Sequence, residues 1–176
     1  QFNIVATARS FPEVVAAALA TPADLLILDL IGMHVSAVTM VERLRRDAPH
    51  LKVVILSSRV DMAPELLRAG AVGYVTKAER SSVLLAAVAA VAAGGIFCSP
   101  HVQEYLERAK GEESFTPQEW LTLKLLAHDP ETSRIAEAMG IGHGAVNNNV
   151  SHMLRKKNFT NRNQLRDWYL LAYGIE

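Results

Sequence analysis

The sequence is poor in several features that would point to a particular compartment or partner. Its 176 residues include a single cysteine, Cys98, and the formal net charge is zero. One cysteine excludes an internal disulfide and fits a reducing compartment, so we expect a cytoplasmic protein. The longest apolar run, at residues 84–93, is too short to span a bilayer, and we therefore expect no membrane partner. No signal peptide is visible, and because the chain opens with Gln1 rather than Met we expect a trimmed start.

The zero net charge hides a basic segment. Half of the residues are hydrophobic and 20% are charged, which is typical of globular protein, and the length suits two domains. Residues 134–166, however, carry six arginines and lysines against one acid, Glu137. Such a segment predicts contact with a polyanion, or else a solvated face whose acidic partners lie elsewhere in the sequence. Charge alone leaves both interpretations open.

Short apolar runs alternate with helical patterns in the first half of the chain. The predicted strands are residues 2–6, 25–28, 53–56 and 72–75, and the predicted helices are residues 13–19, 38–46, 64–69 and 81–93. Two of the strands, residues 25–28 and 53–56, are apolar on both faces, as buried parallel strands are. Strands that alternate with helices predict a parallel sheet covered by helices on both faces.

The second half is predicted to be entirely helical. Its helices are residues 99–108, 116–127, 132–139, 144–156 and 162–173. Thr116, Pro117 and Glu119 supply a cap, a first-turn proline and a capping-box glutamate. Short helices separated by a glycine-rich turn at residues 140–142 indicate a helix-turn-helix. The hydrophilic residues 110–114 read as a linker, which places the domain boundary near residue 111.

Polar side chains follow the predicted strands. Asp29, Ser57 and Lys77 come at or just after the carboxyl ends of three of them, where open parallel sheets gather their chemistry. A carboxylate can act as a nucleophile toward a phosphoryl group, and a hydroxyl and an ammonium can bind the transferred oxygens. By position alone, three unrelated polar residues leaving the core are an equal alternative.

Several of these segments resemble a known family. PADLLILDL, VVILSS, LLRAGAVGYVTKAE and VAAVAAGG resemble the receiver domain of a bacterial two-component response regulator. FTPQEWLTLKLLA and IAEAMGIGHGAVNNNVSHMLRKKN resemble the DNA-binding domain of the NarL/FixJ/LuxR type. The resemblance implies a flavodoxin-like α/β receiver, a doubly wound parallel sheet, over residues 1–98. A linker helix and linker over residues 99–113 and an all-α helix-turn-helix domain over residues 114–176 would follow.

The resemblance also assigns roles within the receiver. It makes Asp29 the phosphoacceptor, Ser57 the switch hydroxyl, Tyr74 the switch aromatic and Lys77 the lysine that senses the phosphoryl group. The loop after Asp29 departs from the family's Met-Pro-Gly, because residues 31–34 read IGMH.

A larger departure concerns the first strand. Residues 1–19 resemble the family's second strand and helix, so the first strand and helix are missing from this chain. That strand would lie in the middle of a 2-1-3-4-5 sheet, and either it precedes this sequence or another chain fills the gap. It also ends in the acidic pair that holds Mg²⁺. We expect Mg²⁺ only if the missing strand supplies that pair, because Asp29 alone offers too few hard oxygen ligands.

The helix at residues 144–156 is the predicted DNA reader. Val146, Val150, Met153 and Leu154 recur at helical spacing and give it an inward side. The predicted DNA contacts are His143, Asn147, Asn148, Ser151, Arg155, Lys156, Lys157 and Arg162. Asparagine can bond adenine, and arginine can bond guanine or phosphate. The predicted phosphate contacts are Arg155, Lys156, Lys157 and Arg162. The alternatives are a tolerated polar surface and a basic helix end that complements the helix dipole. The histidines of this helix lack partners at metal-ligand spacing, which excludes a zinc site.

Together these features predict a cytoplasmic transcription regulator that is not an enzyme. We expect it to bind duplex DNA as a homodimer. Phosphorylation of Asp29 by a sensor histidine kinase, or an input independent of phosphorylation, would control it. The alternative is a degenerate receiver that serves as a protein-interaction or dimerisation module with weak or no DNA binding.

Overall fold

The computed structural model describes residues 2–30, 36–109 and 115–174. The chain divides into two compact units, residues 1–108 and residues 109–176. The predicted loop at residues 31–34 and the predicted linker at residues 110–114 lie outside the described residues. No helix within the described ranges is long and apolar enough to cross a membrane.

The first unit is an α/β structure built on a parallel sheet. Its strands are β1 (Leu25–Asp29), β2 (Lys52–Ser57), β3 (Gly73–Thr76) and β4 (Phe97–Cys98), and its helices are α1 (Phe11–Ala20), α2 (Ala37–Asp47), α3 (Ala63–Ala69), α4 (Ser81–Ala92) and α5 (Pro100–Ala109). The strands pair in the order β1-β2-β3-β4, all parallel. The predicted parallel sheet, of the flavodoxin-like class, is therefore confirmed. A 3-10 turn at Val60–Met62 and the short β4 were not predicted.

The sheet is apolar where it is central. Val53, Val54 and Ile55 of β2 are buried, and Val54 packs in a core cluster with residues of β3 and α4. Burial of each such side chain stabilises the fold by about 1.5–3 kcal/mol. Gly73 opens β3 beside this cluster, and a Cβ at that position would lie 2.9 Å from a methyl carbon of Val54. Only glycine therefore lets β3 approach β2 this closely.

The strand predicted at residues 2–6 is wrong. Residues 2–8 have no regular secondary structure, and Phe2, Ile4 and Val5 are exposed. β1 pairs with β2 alone among the described strands, so its outer edge carries no ladder partner within the described ranges. The apolar residues of this segment favoured a strand, but a strand forms only where a neighbour satisfies its backbone groups. Ile27, in the middle of β1, is 43% exposed.

The second unit consists of four helices in its described part. They are α6 (Pro117–His128), α7 (Thr132–Met139), α8 (His143–Lys157) and α9 (Arg162–Tyr173). Gly140 ends α7 with φ 64° and ψ 32°, a left-handed conformation that suits glycine and turns the chain toward α8. Leu123, Leu126, Ile135 and Trp168 form the fully buried centre. The predicted all-α helix-turn-helix organisation is confirmed.

Candidate receiver pocket and nucleic-acid interface

Two of the predicted strand-end residues meet. Asp29 is the last residue of β1, and Lys77 directly follows β3. The ammonium nitrogen of Lys77 lies 2.6 Å from the Oδ2 atom of Asp29. The carboxylate is 46% exposed and the lysine side chain 32% exposed. The pair is therefore open to solvent and to any reagent that approaches this end of the sheet.

Ser57 and Tyr74 are held against the loop that follows β2. The Ser57 hydroxyl oxygen accepts a hydrogen bond from the Arg59 N–H at 3.1 Å, and the Tyr74 hydroxyl donates to the Arg59 carbonyl oxygen. Tyr74 is fully buried, and burial raises its pKa well above the usual value, so the hydroxyl stays protonated. The Arg59 guanidinium bonds Asp61 at 3.1 Å. Ser57 and Tyr74, the two predicted switch residues, thus both bond the backbone of Arg59.

The described residues do not fit Mg²⁺. No group of three or more histidine, cysteine, aspartate or glutamate side chains within the described ranges could hold a metal ion. Asp29 offers one carboxylate, and one of its oxygens already accepts a bond from Lys77. Mg²⁺ demands near-octahedral oxygen coordination.

The loop that carries Lys77 is tied to α5. The Oε1 atom of Glu79 lies 2.7 Å from the Nδ1 atom of His101, in the first turn of α5. The Glu79 carboxylate accepts this hydrogen bond, which raises the pKa of His101 and lowers the pKa of Glu79. A further bond joins the Thr76 N–H to the Ser99 hydroxyl oxygen at 3.2 Å. Sequence reasoning missed Glu79 and His101, because nothing in the local pattern pairs residues this far apart.

The predicted DNA contacts on α8 lie mainly on one side of the helix. Val146, Val150 and Met153 are buried. Five predicted contacts are exposed, and we call them the reading face: His143, Asn147, Asn148, Ser151 and Arg155. At 3.6 residues per turn, Asn148, Ser151 and Arg155 form a stripe opposite the buried side. α8 therefore presents amides, a hydroxyl and a guanidinium together.

The three consecutive basic residues at the end of α8 have different surroundings. Arg155 is exposed on the reading face. Lys156 bonds Glu119 of α6, with 2.8 Å between its Nζ atom and the Oε2 atom, and the two side chains are 12% and 3% exposed. The ammonium of Lys157 lies 4.3 Å from the ring centroid of Trp168. Successive helical residues point about 100° apart, so a basic run in sequence is not one surface.

Arg162, the fourth predicted phosphate contact, also has partners in its own unit. Its Nη1 atom donates to the Pro130 carbonyl at 3.3 Å and to the Thr132 hydroxyl at 3.2 Å. The assignment of Lys156, Lys157 and Arg162 to phosphates stays a prediction, and each of these side chains also holds helices together.

Glu119 has more contacts than its capping role required. Its Oε2 atom accepts the Thr116 N–H at 2.7 Å as well as the Lys156 ammonium. Burial raises the pKa of Glu119, but the hydrogen bonds from Lys156 and Thr116 outweigh burial, so the pKa lies below its usual value. A second bond between α6 and α8 runs from the Asn149 amide to the Thr122 hydroxyl oxygen at 2.9 Å. The sequence showed the capping box but not these two contacts.

Comparison with known proteins agrees with this architecture. The family of the response regulator receiver domain matches residues 1–89, and that of the bacterial regulatory proteins of the luxR family matches residues 113–169. The chain is 31% identical over 148 residues to the nitrate/nitrite response regulator protein NarP of Escherichia coli, a match that covers 79% of this chain and 69% of that protein. It is 28% identical over 167 residues to a nitrate/nitrite response regulator homolog of Haemophilus influenzae, covering 92% and 80%.

Solved structures share the fold. RcsB from Salmonella enterica serovar Typhimurium, bound to a promoter, superposes with a TM-score of 0.78 at 21% identity, covering 93% of this chain and 82% of that one. The chain belongs to the response regulators that join a receiver domain to a LuxR-type helix-turn-helix domain, and it is a DNA-binding transcription regulator of a two-component system. The alternative, an interaction module with weak or no DNA binding, is not favoured.

Proposed function

We propose that the reading face of α8 enters the major groove of duplex DNA and reads base edges there. The observation that carries this proposal is the exposure of Asn148, Ser151 and Arg155 on the side opposite Val146 and Val150, with Asn147 exposed beside them. An α-helix fits the major groove, asparagine bonds adenine bidentately, and arginine bonds guanine or phosphate. His143, at the start of α8, is placed to contact the groove wall.

The protein acts on its site as a homodimer. Each copy places one α8 in a groove, and the half-sites lie about one helical turn, roughly 34 Å, apart. In support, a solved structure of similar fold, with a TM-score of 0.74, is described as two RcsB dimers bound to two parallel DNAs. Lys157 and Arg162 are assigned to phosphates.

The receiver unit controls this binding, by phosphorylation of Asp29 or by an input independent of phosphorylation. In one form of control, a carboxylate oxygen of Asp29 attacks the phosphoryl group of a phosphohistidine on a sensor kinase. The P–N bond breaks, the imidazole leaves, and Lys77 neutralises the new acyl phosphate. In the other form, the input acts without phosphorylation. The exposed Asp29 and its contact with Lys77 support the first form, and the poor fit to Mg²⁺ supports the second. The proposed location is the cytoplasm.

Titration of the full chain with duplex DNA at several salt concentrations tests the DNA contacts. Arg155→Ala should flatten the plot of log affinity against log salt by about 0.9 if one phosphate contact is lost. Asn147→Ala or Asn148→Ala should cost about 1–3 kcal/mol on the preferred site and relax the preference at one base pair.

Arg46→Ala is the matched control, because Arg46 is an exposed arginine of the first unit and its loss changes the net charge equally. If neither the arginine nor the asparagine variants of α8 alter binding, α8 is not the reader. If Arg46→Ala and Arg155→Ala weaken binding equally, the effect is one of net charge.

A further inference from the structure

Asn149 and Lys156 contact α6 from the same flank of α8. They are seven residues apart, or two helical turns, so they lie almost in line along the helix. Their partners on α6 are the hydroxyl of Thr122 and the carboxylate of Glu119, at 2.9 Å and 2.8 Å. This flank lies between the buried side of α8 and the reading face.

The contact at Lys156 is anchored on the Glu119 side. The Glu119 carboxylate is fixed by the first turn of α6, because the same oxygen accepts the Thr116 N–H at 2.7 Å. The Glu119 N–H in turn donates to the Thr116 hydroxyl oxygen at 3.2 Å. If Lys156 moved, the Glu119 side chain could therefore keep its bond to Lys156 only by losing its capping bond to the Thr116 N–H.

Apolar packing and directed bonds constrain α8 differently. Val146, Val150 and Met153 hold the helix against the core, but apolar contact is non-directional and tolerates some rotation about the helix axis. A hydrogen bond has a defined length and direction, whether it is charge-assisted, as at Lys156, or neutral, as at Asn149. Two such contacts two turns apart set the rotation of α8, and the rotation decides where Asn148 and Arg155 point.

We propose that Lys156 is a positioning residue that sets the rotation of α8 through Glu119, and that it does not neutralise a DNA phosphate. The inference rests on the proposed DNA contacts of the reading face. A phosphate contact would take the ammonium away from Glu119, a carboxylate that is 3% exposed, and leave it only the more distant ring of His152, whose Nδ1 atom lies 3.9 Å from Oε1, a strongly unfavourable change.

The experiment compares variants of the full chain on two duplexes. One is random-sequence duplex DNA, and the other is the duplex that the wild-type chain selects from a random pool. Lys156→Met and Glu119→Gln each remove one charge of the pair, Lys156→Arg keeps the cation, and Arg155→Met is the matched loss of a neighbouring cation. Circular dichroism establishes that each variant is folded.

The proposal expects separate signatures. Arg155→Met should flatten the salt dependence by about 0.9, the loss of one phosphate contact. Lys156→Met should keep the wild-type salt dependence but lower the ratio of selected to random affinity by about fivefold or more, as if one base contact were lost. Glu119→Gln should reproduce that loss although it removes no cation, and Lys156→Arg should restore most of the ratio.

A flatter salt dependence in Lys156→Met, together with wild-type binding in Glu119→Gln, would overturn the proposal. If Lys156→Met does not fold, the double variant Lys156→Met/Glu119→Gln replaces it, since it leaves no lone buried charge, and the same two outcomes decide. If the folded wild-type chain binds neither duplex, the proposed DNA contacts fail and this inference fails with them. Binding by the wild type with the overturning pattern refutes the role of Lys156 alone.

Discussion

The three adjacent asparagines of α8 offer a controlled test of the structure. Asn149 donates from its amide to the Thr122 hydroxyl oxygen at 2.9 Å, whereas Asn148, one residue earlier, is exposed. Thr122 is fully buried, and its own hydroxyl donates to the Gln118 carbonyl at 2.8 Å. Asn149→Ala would leave the Thr122 oxygen buried without the donor it now accepts from.

The expected cost follows from this geometry. A buried polar group that loses its partner costs about 1–3 kcal/mol. The change from asparagine to alanine also favours a helix by up to about 0.7 kcal/mol. That gain is common to Asn149→Ala and Asn148→Ala and cancels in their comparison. We expect Asn149→Ala to be about 1–3 kcal/mol less stable than Asn148→Ala, and each kcal/mol lowers the melting temperature of so small a unit by about 4–8 °C.

Intrinsic fluorescence isolates the relevant unit. The two tryptophans of the chain, Trp120 and Trp168, both lie in the second unit, with ring centroids 6.3 Å apart. Thermal melts followed by tryptophan emission therefore report on that unit. Melting temperatures of Asn148→Ala and Asn149→Ala that agree within about 2 °C would refute the bond between α6 and α8.

Two further predictions concern the first unit. We expect acetyl phosphate with Mg²⁺ to leave the mass of this chain unchanged, because Asp29 is the lone carboxylate of the described pocket; a gain of one phosphoryl group that Asp29→Asn abolishes would contradict this. The second prediction concerns pH. The pKa of His101 is raised above 6.5 by its bond to Glu79, so the folded state binds this proton more tightly than the unfolded state. The Glu79–His101 pair contributes fully to stability below about pH 6.5, and this contribution is lost as the pH rises through the raised pKa of His101. Calorimetric melts should show this fall in the wild type and in His50→Gln, the exposed-histidine control, but not in His101→Gln; an equal fall in all three would exclude the pair as its cause.

Much of the secondary structure follows from the local sequence. The predicted helices at residues 132–139 and 162–173 match α7 and α9 at both ends, because capping residues and apolar spacing are local signals. The exception at residues 2–6 shows the limit of such signals. A short apolar run favours a strand, but it does not specify whether a neighbouring strand is there to pair with it.

The candidate sites were predictable to different extents. The position of Asp29, Ser57 and Lys77 at strand ends allowed them to converge, because parallel strands end at one edge of a sheet, and two of them, Asp29 and Lys77, lie 2.6 Å apart. The surroundings of Lys156 and Lys157 could not be read from the sequence. Lys156 bonds a residue 37 positions earlier, and only the packing of α6 against α8 brings the two together. The basic run at residues 155–157 was read as one surface, although successive residues of a helix point about 100° apart.

The edge of β1 that faces away from β2 affects how long purified protein stays in solution. β1 has five residues, and beside them no described strand occupies the ladder positions. Asp29 is its one charged residue, and Ile27 is 43% exposed. An edge with a single charge and no ladder partner among the described strands is a template on which other chains can add strands. We expect concentrated stocks to lose soluble protein through growth of β-rich aggregates, at a rate that rises with concentration, while α6–α9 in the molecules still in solution stay folded. A charge placed on this edge, as in Ile27→Lys, should slow the loss of soluble protein.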